Sequence, residues 1–464
     1  MNFTVSELAR ALEAPSPGEA SLTGASVDSR ATRPGDLFVA LPGARVDGHD
    51  FAAEAVTRGA KAILAGRPLP EVAGRVPVIV VPDTGAALLR FGGWLKRRAG
   101  FRLAAIAGSA GKTTTKEFAT AILSRHCSTG KTPGNRNSAI GFPLSVINLS
   151  LDPQWMVGEM GMSAPGEVAR LSREFSPEVA AITLIAQEHL EFLGSLDAIA
   201  RANGEILEGL LPEGVFVVNA DDARIVKIAA THSGRQLRFG MTEPADVRVE
   251  QVVAGERGSR FRLKAPGGEA PIALPVPGAH QIRNFLAASA VAIAAGATVE
   301  NCAEAAPRLS PAAHRGESLR HSSGALLFDD AYNASPPTMR AALETLRLLP
   351  GRRKIAVLGD MRELGAESEW WHRETGRYVA GRADRLICVG PLGRFFAEGA
   401  VEAGFPPAEI RTLDTPEQAA NLLDSMLDGG DTVLFKASRG VGLERAVDSL
   451  AAPELTGTRP RETR

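Results

Sequence analysis

The sequence predicts an α/β protein of three units built on mainly parallel sheets, and three observations carry that prediction. Short β-rich apolar runs alternate with helical patterns along almost the whole chain, as strands joined by covering helices do. The chain has 464 residues, which at about 150 residues per domain gives two to four domains. Apolar residues make up 44% and charged residues 23%, a globular balance that excludes fibrous and disordered architectures. A chain of this length buries ordinary cores without disulfide staples. Lys and Arg number 52 against 53 Asp and Glu, a net charge of -1. No overall basic field exists to hold nucleic acid, so any anionic ligand needs a local site. Cys127, Cys302 and Cys388 lack metal-ligand spacing and are odd in number, which fits a reducing, cytosolic compartment. The start, MNFTVSELARALE, has no basic segment followed by an apolar one, so no signal peptide is expected. The alanine-rich stretch Ala287 to Ala297 is too short to span a bilayer.

Taken in order, the first hundred residues contain short strands at Asp36 to Leu41, Lys61 to Leu64 and Val78 to Val81, with helices at Phe51 to Arg58 and Thr84 to Arg98. The basic, glycine-broken run Lys96 to Gly100 reads as a linker. A second unit opens with the strand Arg102 to Ala107 and runs to about Pro311. Within it, the polar, glycine-rich stretch Asp246 to Gly268 reads as a small antiparallel hairpin. Leu309 to Gly316 is the next boundary. The third unit has apolar strands at Lys354 to Leu358, Arg385 to Val389 and Thr432 to Lys436, separated by helical stretches as in a doubly wound sheet. The polar end, Ala452 to Arg464, is expected to fray.

The strongest chemical signal is Gly108-Ser109-Ala110-Gly111-Lys112-Thr113-Thr114, after an apolar strand and before the helical pattern Thr115 to Arg125. Strand, glycine loop and Lys-Thr at a helix start make a phosphate cradle. Glycines let backbone N–H groups converge on phosphate oxygens, and the helix dipole adds positive potential. Lys112 supplies a charge for the β- and γ-phosphates, and Thr113 a hydroxyl for Mg²⁺. The longer form of this motif has a further glycine where Ile106 stands, so an ordinary strand–helix turn stays open as the alternative.

Other polar clusters punctuate the strands. Gly134-Asn135-Arg136-Asn137-Ser138 precedes an apolar stretch, Glu159 lies between Gly158 and Met160-Gly161, and Gln187-Glu188-His189 follows the strand-like Val179 to Ile185. Open α/β sheets place ligands at strand ends, so Glu159 and His189 could complete a Mg²⁺ sphere begun by Thr113. Singly, each also reads as a solvated turn or a satisfied loop histidine. In the third unit Asp329 to Pro337, Gly359 to Gly365 and Lys436 to Gly440 are polar strand ends, either one lined cleft edge or three separate loops. Trp370 and Trp371 read as helix packing rather than a stacking platform.

These residues resemble the Mur ligase family of bacterial cell-wall synthesis. G-S-A-G-K-T-T is similar to the family's own short phosphate loop, which accounts for Ile106. GNRNSAIGFP at 134–143, HLEFLGS at 189–195, DDAYNAS at 329–335, VLGDMRELG at 357–365 and KASRG at 436–440 are similar to family segments. So are the runs at 27–30, 35–40 and 47–51 to a UDP-sugar-binding segment. The resemblance implies a small α/β UDP-muramoyl-binding domain at 1–99, a central P-loop ATPase-like parallel-sheet domain at 100–312, and a Rossmann-like ligase domain at 313–464. Ser29, Arg30, Asp47, Gly48 and His49 would hold the UDP-sugar end. Residues 108–114 would bind ATP together with Asn284 at the adenine and Arg315, Asp330 and Asn333 nearer the ribose or phosphates. Thr113, Glu159 and His189 would hold Mg²⁺, and Lys112, Asn137 and His189 would be catalytic. Lys436, Ser438 and Arg439 would meet the reacting substrates.

The implied reaction joins D-alanyl-D-alanine to the peptide carboxylate of a UDP-N-acetylmuramoyl tripeptide, a cytoplasmic step that serves cell shape and division. A carboxylate is a poor acyl donor, and transfer of the ATP γ-phosphoryl makes it an acyl phosphate that an amine can attack. Lys112 and Mg²⁺ would offset the repulsion between the two anions. The implied partners are these small molecules; the charge balance leaves out nucleic acid, no apolar run suits membrane insertion, and a monomer is expected because no coiled coil or long apolar helix demands an oligomer. One residue departs from the pattern: Asn203, in Arg201-Ala202-Asn203-Gly204-Glu205, stands where the family has a carbamylated lysine that helps bind a second Mg²⁺. An amide forms no carbamate, so a second ion is expected to be bound more weakly or through water or Glu188. A nucleotide-binding protein that has lost ligation, and a sibling of the folylpolyglutamate synthase type, are the competing readings.

Overall fold

The structure, a computed structural model, describes residues 1–43, 45–150, 152–255 and 257–452. The end expected to fray lies, beyond Ala452, outside the described residues. Three parallel or mixed sheets follow one another along the chain, as the alternating pattern predicts.

The first is a four-stranded parallel sheet in chain order, Gly24–Ser26, Asp36–Val39, Ala62–Ala65 and Val78–Val80. The helix expected at Phe51 to Arg58 is shorter than predicted, since Gly48–Phe51 is a 3₁₀ turn and only Ala52–Thr57 is α-helical. The helix Thr84–Ala99 is started by Asp83, whose carboxylate accepts the Ala86 N–H, and stopped by Gly100 at φ 73. This corrects the linker expected at 96–100. Lys96 lies inside the last helical turn, 5% exposed, and its Nζ is 3.0 Å from Glu178 Oε1 of the second unit. Here a long-range carboxylate outweighs the polar look of the local sequence.

The central sheet has nine strands in the order Gly268–Leu274, Gly258–Ala265, Val247–Gly255, Arg235–Gly240, Val215–Asn219, Val179–Ile182, Arg102–Ala107, Trp155–Glu159, Thr129–Lys131. The expected hairpin is there, but as the antiparallel end of this sheet and extended by one strand. Strand Arg102–Ala107 is buried on both faces, as parallel strands between helix layers are. Leu103, Ala105 and Ala107 join Phe91, Leu95, Phe142 and Phe175 on one side. Ala104 and Ile106 join Phe118 and Phe285 on the other. Phe91 and Leu95 belong to the first unit's helix, so the first two units share one apolar core. Ala287 to Ala297 falls on and just beyond the buried helix Ala279–Ala294.

The third sheet has six strands, the three apolar ones and the one ending at Asp329 expected from sequence plus two more, in the order Glu317–Arg320, Leu326–Asp329, Asp431–Lys436, Arg353–Gly359, Arg385–Val389, Ile410–Leu413. All pairs are parallel except the first. Helices cover both faces, each over its own apolar cluster. Trp371 packs on the second of these clusters, whereas Trp370 is 51% exposed. The helix-packing expectation therefore holds for one tryptophan of the pair. Cys127, Cys302 and Cys388 are free thiols.

Candidate active site

Parallel strands aim their C-terminal ends one way, and two of the sheets aim theirs at a common cleft of about 770 Å³. From the central sheet come the turn after Arg102–Ala107, Glu159 at the end of its strand, and the segment after Val179–Ile182. From the third sheet come the ends of Leu326–Asp329, Arg353–Gly359 and Asp431–Lys436, which are neighbouring strands. The polar strand ends of the third unit thus form one cleft edge, not separate loops.

The glycine loop is a clamped turn that needs glycine at two positions. Gly108 has φ 129 and Gly111, which precedes the helix Lys112–Leu123, has φ 83. A Cβ at Gly108 would overlap Thr183 Oγ1, and one at Gly111 would overlap Asn284 Oδ1. Thr183 Oγ1 donates to Ala110 O at 2.6 Å, Ser109 N–H to Leu184 O at 2.7 Å, and Gly108 N–H to Asn203 Oδ1 at 2.7 Å. The Lys112 ammonium donates to Gly108 O and lies 3.3 Å from Glu188 Oε2. A lysine folded back over its own loop at a helix N-terminus is a charge poised over an anion site.

Across from this loop, Asn137 Nδ2 donates to Glu159 Oε1 at 2.9 Å, and Gly161 N–H to Asn137 O at 2.9 Å. Glu159 is 1% exposed and its Oε2 accepts no hydrogen bond. A buried carboxylate oxygen without a donor is costly unless something else meets its charge. Thr113 lines the same cleft. Among the described residues no three His, Cys, Asp or Glu side chains are grouped to hold a metal. His189, in a left-handed conformation at φ 54, places Nε2 3.6 Å from Glu188 Oε1. Its Nδ1 is 2.5 Å from Glu363 Oε2 of the third unit, out of hydrogen-bonding alignment.

On the third sheet's edge, Lys436 is 3% exposed and its donors are committed to Asp330 Oδ2 at 2.6 Å, Asn333 O at 3.0 Å and Asp330 O at 3.3 Å. It staples the turn 330–333 from beneath. Ser438 Oγ accepts the Arg362 N–H at 2.9 Å and is itself buried. Arg315 stacks 3.8 Å from the Tyr332 ring, and Arg439 Nη1 donates to Tyr332 Oη at 2.7 Å. Asn284 packs against Gly111 and donates to Gln281 Oε1 at 3.1 Å. Burial pushes Asp360, at the base of this edge, above the ordinary carboxylate range. Glu363, Arg362 and Tyr332 were not singled out individually from sequence. Each lies inside a recognised run, which was the available signal.

The residues assigned to a UDP-sugar lie apart from this cleft, on the first unit. Ser29 Oγ donates to Glu54 Oε2 at 2.7 Å, and exposed Arg30 forks onto Asp28 at 3.0 and 2.7 Å. His49 is 5% exposed with both ring nitrogens bonded, Nδ1 to Asp47 Oδ1 at 2.5 Å and Nε2 from the Gly66 N–H at 2.7 Å. It fixes the turn that presents Asp47. Gly48 is required there, since a Cβ would meet the Leu41 backbone at 2.7 Å.

Comparison with known proteins follows the same three-part division. Residues 21–91 match the Mur ligase family catalytic domain, 106–292 the Mur ligase middle domain, and 314–439 the Mur ligase glutamate ligase domain. The chain is 35% identical over 435 residues to the UDP-N-acetylmuramoyl-tripeptide–D-alanyl-D-alanine ligase of Bacillus subtilis, covering 93% of this chain and 94% of that one. The crystal structure of MurF from Acinetobacter baumannii is 31% identical with a TM-score of 0.87, over 97% of this chain and 99% of that one. MurF from Thermotoga maritima in complex with ADP is 30% identical with a TM-score of 0.81, over 92% and 96%.

Proposed function

The chain belongs to the Mur ligase family, and from that premise we propose that it joins D-alanyl-D-alanine to UDP-N-acetylmuramoyl-tripeptide at the expense of ATP, a step of peptidoglycan-precursor synthesis. The observation that carries this is the facing of the clamped glycine loop and the third sheet's strand ends across one cleft. Relatives named for this reaction match nearly the whole chain.

In this reading residues 1–99 hold the UDP-sugar through Ser29, Arg30 and the turn at Asp47, Gly48 and His49. Residues 100–312 bind the nucleotide, and 313–464 close over it and hold the dipeptide. The loop from Gly108 to Thr114 cradles the phosphates with backbone N–H groups, and Lys112 neutralises them. Asn284, Arg315, Asp330 and Asn333 border the nucleotide. The tripeptide carboxylate oxygen attacks the γ-phosphorus, and the bond to the β-phosphate oxygen breaks, leaving ADP and an acyl phosphate. The dipeptide amine then forms the amide bond while phosphate leaves and the nitrogen sheds a proton. Asn137 and His189 border the reacting groups, with Ser438 and Arg439 on the opposite wall.

The donor set fits one magnesium ion. A buried carboxylate oxygen on Glu159 lacks a donor, Thr113 offers a hydroxyl, and Mg²⁺ characteristically takes one or two protein oxygens, leaving the rest to phosphate and water. When bound, the ion would neutralise charge on the phosphates. His189 and Glu188 are the residues for a second ion. Among the described residues no helix is long and apolar enough to cross a membrane, and we take the enzyme to act as a cytoplasmic monomer without nucleic acid.

The test is phosphate release with ATP, UDP-linked tripeptide and D-alanyl-D-alanine together, compared with each omitted. Release that needs all of them, lost in Lys112→Ala while UDP-tripeptide binding persists, is the expected result. Full turnover in Lys112→Ala, or no release with all present, would overturn it.

A further inference from the structure

Lys116 is 0% exposed, one turn beyond Lys112 on the same helix. Its Nζ donates to Gly134 O and lies 3.5 Å from Glu117 Oε1 and 3.8 Å from Glu159 Oε2. Burial holds its pKa below the ordinary lysine value, with Glu159 and Glu117 opposing that shift. Glu117 is shared with exposed Lys131, so it is already neutralised from the solvent side. Taking an ammonium out of water costs several kcal/mol unless its partners answer it, and an apolar side chain would fill the same space more cheaply. The partner left to answer it is the Glu159 carboxylate.

We propose that Lys116 is a positioning residue for the ligation, fixing the cleft wall that carries Asn137 and the Glu159 carboxylate, whose Oε2 it faces at 3.8 Å without a hydrogen bond. Two elements converge on it, the loop at Gly134 and the end of strand Trp155–Glu159. The loop 134–137 is tied at its base by Gly134 O and folded over Glu159 by the Asn137 side chain. A Cβ at Gly161 would overlap Asn137, so this wall has no slack. Lys116 thus touches both ends of a chain of contacts, Gly134 to Asn137 to Glu159, that lines the same cleft as the glycine loop. Sharing Glu159 with a fixed ammonium also orients the carboxylate before any ligand arrives. The proposal rests on the reading of Glu159 as a cation ligand.

The experiment measures Mn²⁺ binding in the presence of ADP by paramagnetic resonance, alongside kcat, the KM for UDP-linked tripeptide and thermal melting. Lys116→Met is expected to weaken Mn²⁺ binding and lower kcat by about tenfold or more, as loss of a ligand-orienting contact does, with the UDP-substrate KM nearly unmoved. Combined with Asn137→Ala, the kcat losses should be less than multiplicative, because both act through one wall. If Lys116→Met fails to fold, Lys116→Gln, which keeps a donor for Gly134, takes its place. A lowered melting temperature with unchanged Mn²⁺ binding and kcat, or multiplicative losses, overturns the proposal. Glu159→Gln is the reference. If it leaves Mn²⁺ binding intact, the cation reading and the proposal fall together. If it abolishes binding while Lys116→Met does not move it, the proposal alone falls.

Discussion

Asn203 Oδ1 accepts the Gly108 N–H at 2.7 Å, which ties a helix of the central unit to the first residue of the phosphate loop. The amide's other end donates to Ile199 O at 2.9 Å, and the residue is 2% exposed. Both ends of the side chain are spent inside the protein. Removing the acceptor of a buried N–H costs about 1–3 kcal/mol. Asn203→Leu should therefore raise the KM for ATP roughly 5- to 150-fold, by the usual conversion of free energy to affinity. An amide offers carbon dioxide no amine, so turnover should be the same in CO₂-depleted and bicarbonate-supplemented buffer. Stimulation by bicarbonate would sink this account of the site.

Two glycines separate loop chemistry from helix capping. Gly111→Ala forces a side chain into φ 83 and onto Asn284 Oδ1. The chain should fold, but ADP binding followed by calorimetry should weaken by about tenfold or more, since strain of 1–3 kcal/mol falls on the loop that must meet phosphate. Gly100→Ala has a similar φ, 73, with nothing within 4 Å of the new Cβ. It should cost about 1–2 kcal/mol of stability and leave ADP binding alone. Equal effects on binding from the two variants would contradict the clamped-loop description.

The phosphate loop was legible because strand, glycine turn and helix start are contiguous. So were the strand ends at Asp329, Gly359 and Lys436, each following an apolar run. Strands Glu317–Arg320 and Ile410–Leu413 escaped notice because they sit at the sheet's two edges and are partly exposed, with polar residues among them. Lys96 misled, and Lys116 was passed over, for another reason. A lysine on a helix reads as a solvated face, and only partners at Glu178 and Glu159, far off in sequence, make these two interior. Asn284 was named only through the family resemblance, and its contact with Gly111 is a tertiary event that no local pattern encodes.

Lys96 gives a prediction about how the units hold together. Its ammonium bonds Ser176 O at 2.8 Å as well as Glu178, and Glu178 Oε2 accepts the Leu103 N–H at 2.6 Å. The first unit's helix is thereby fastened to the base of the strand that leads to the phosphate loop. Breaking a fully buried pair costs about 3–5 kcal/mol. Glu178 keeps some water, so Lys96→Met should cost less, about 2–3 kcal/mol on the same scale. Because the apolar core is continuous across the junction, the first two units should still unfold in one transition, with a lowered urea midpoint. A separate early transition of the first unit would show that the junction is a true linker.

His372 makes stability depend on pH. It is 0% exposed, accepts the Met361 N–H on Nε2 at 3.0 Å and bonds Ser368 O through Nδ1 at 2.6 Å. Nε2 therefore carries no proton, and the ring anchors the turn after strand Arg353–Gly359 that leads into Arg362 and Glu363. Burial lowers its pKa from 6.5 to about 4. Above pH 6.5 the ring is neutral in both folded and unfolded chains, and its contribution to stability is complete. As pH falls, the unfolded chain takes up a proton near 6.5, which the folded chain refuses until about 4. Stability from this group is lost across that window, by roughly 3 kcal/mol in all. His372→Gln should be less stable than the parent at neutral pH, having lost a fitted pair of hydrogen bonds, yet its urea midpoint should fall less steeply between pH 6.5 and about 4. Parallel curves for the two proteins would mean that the acid sensitivity belongs to other groups.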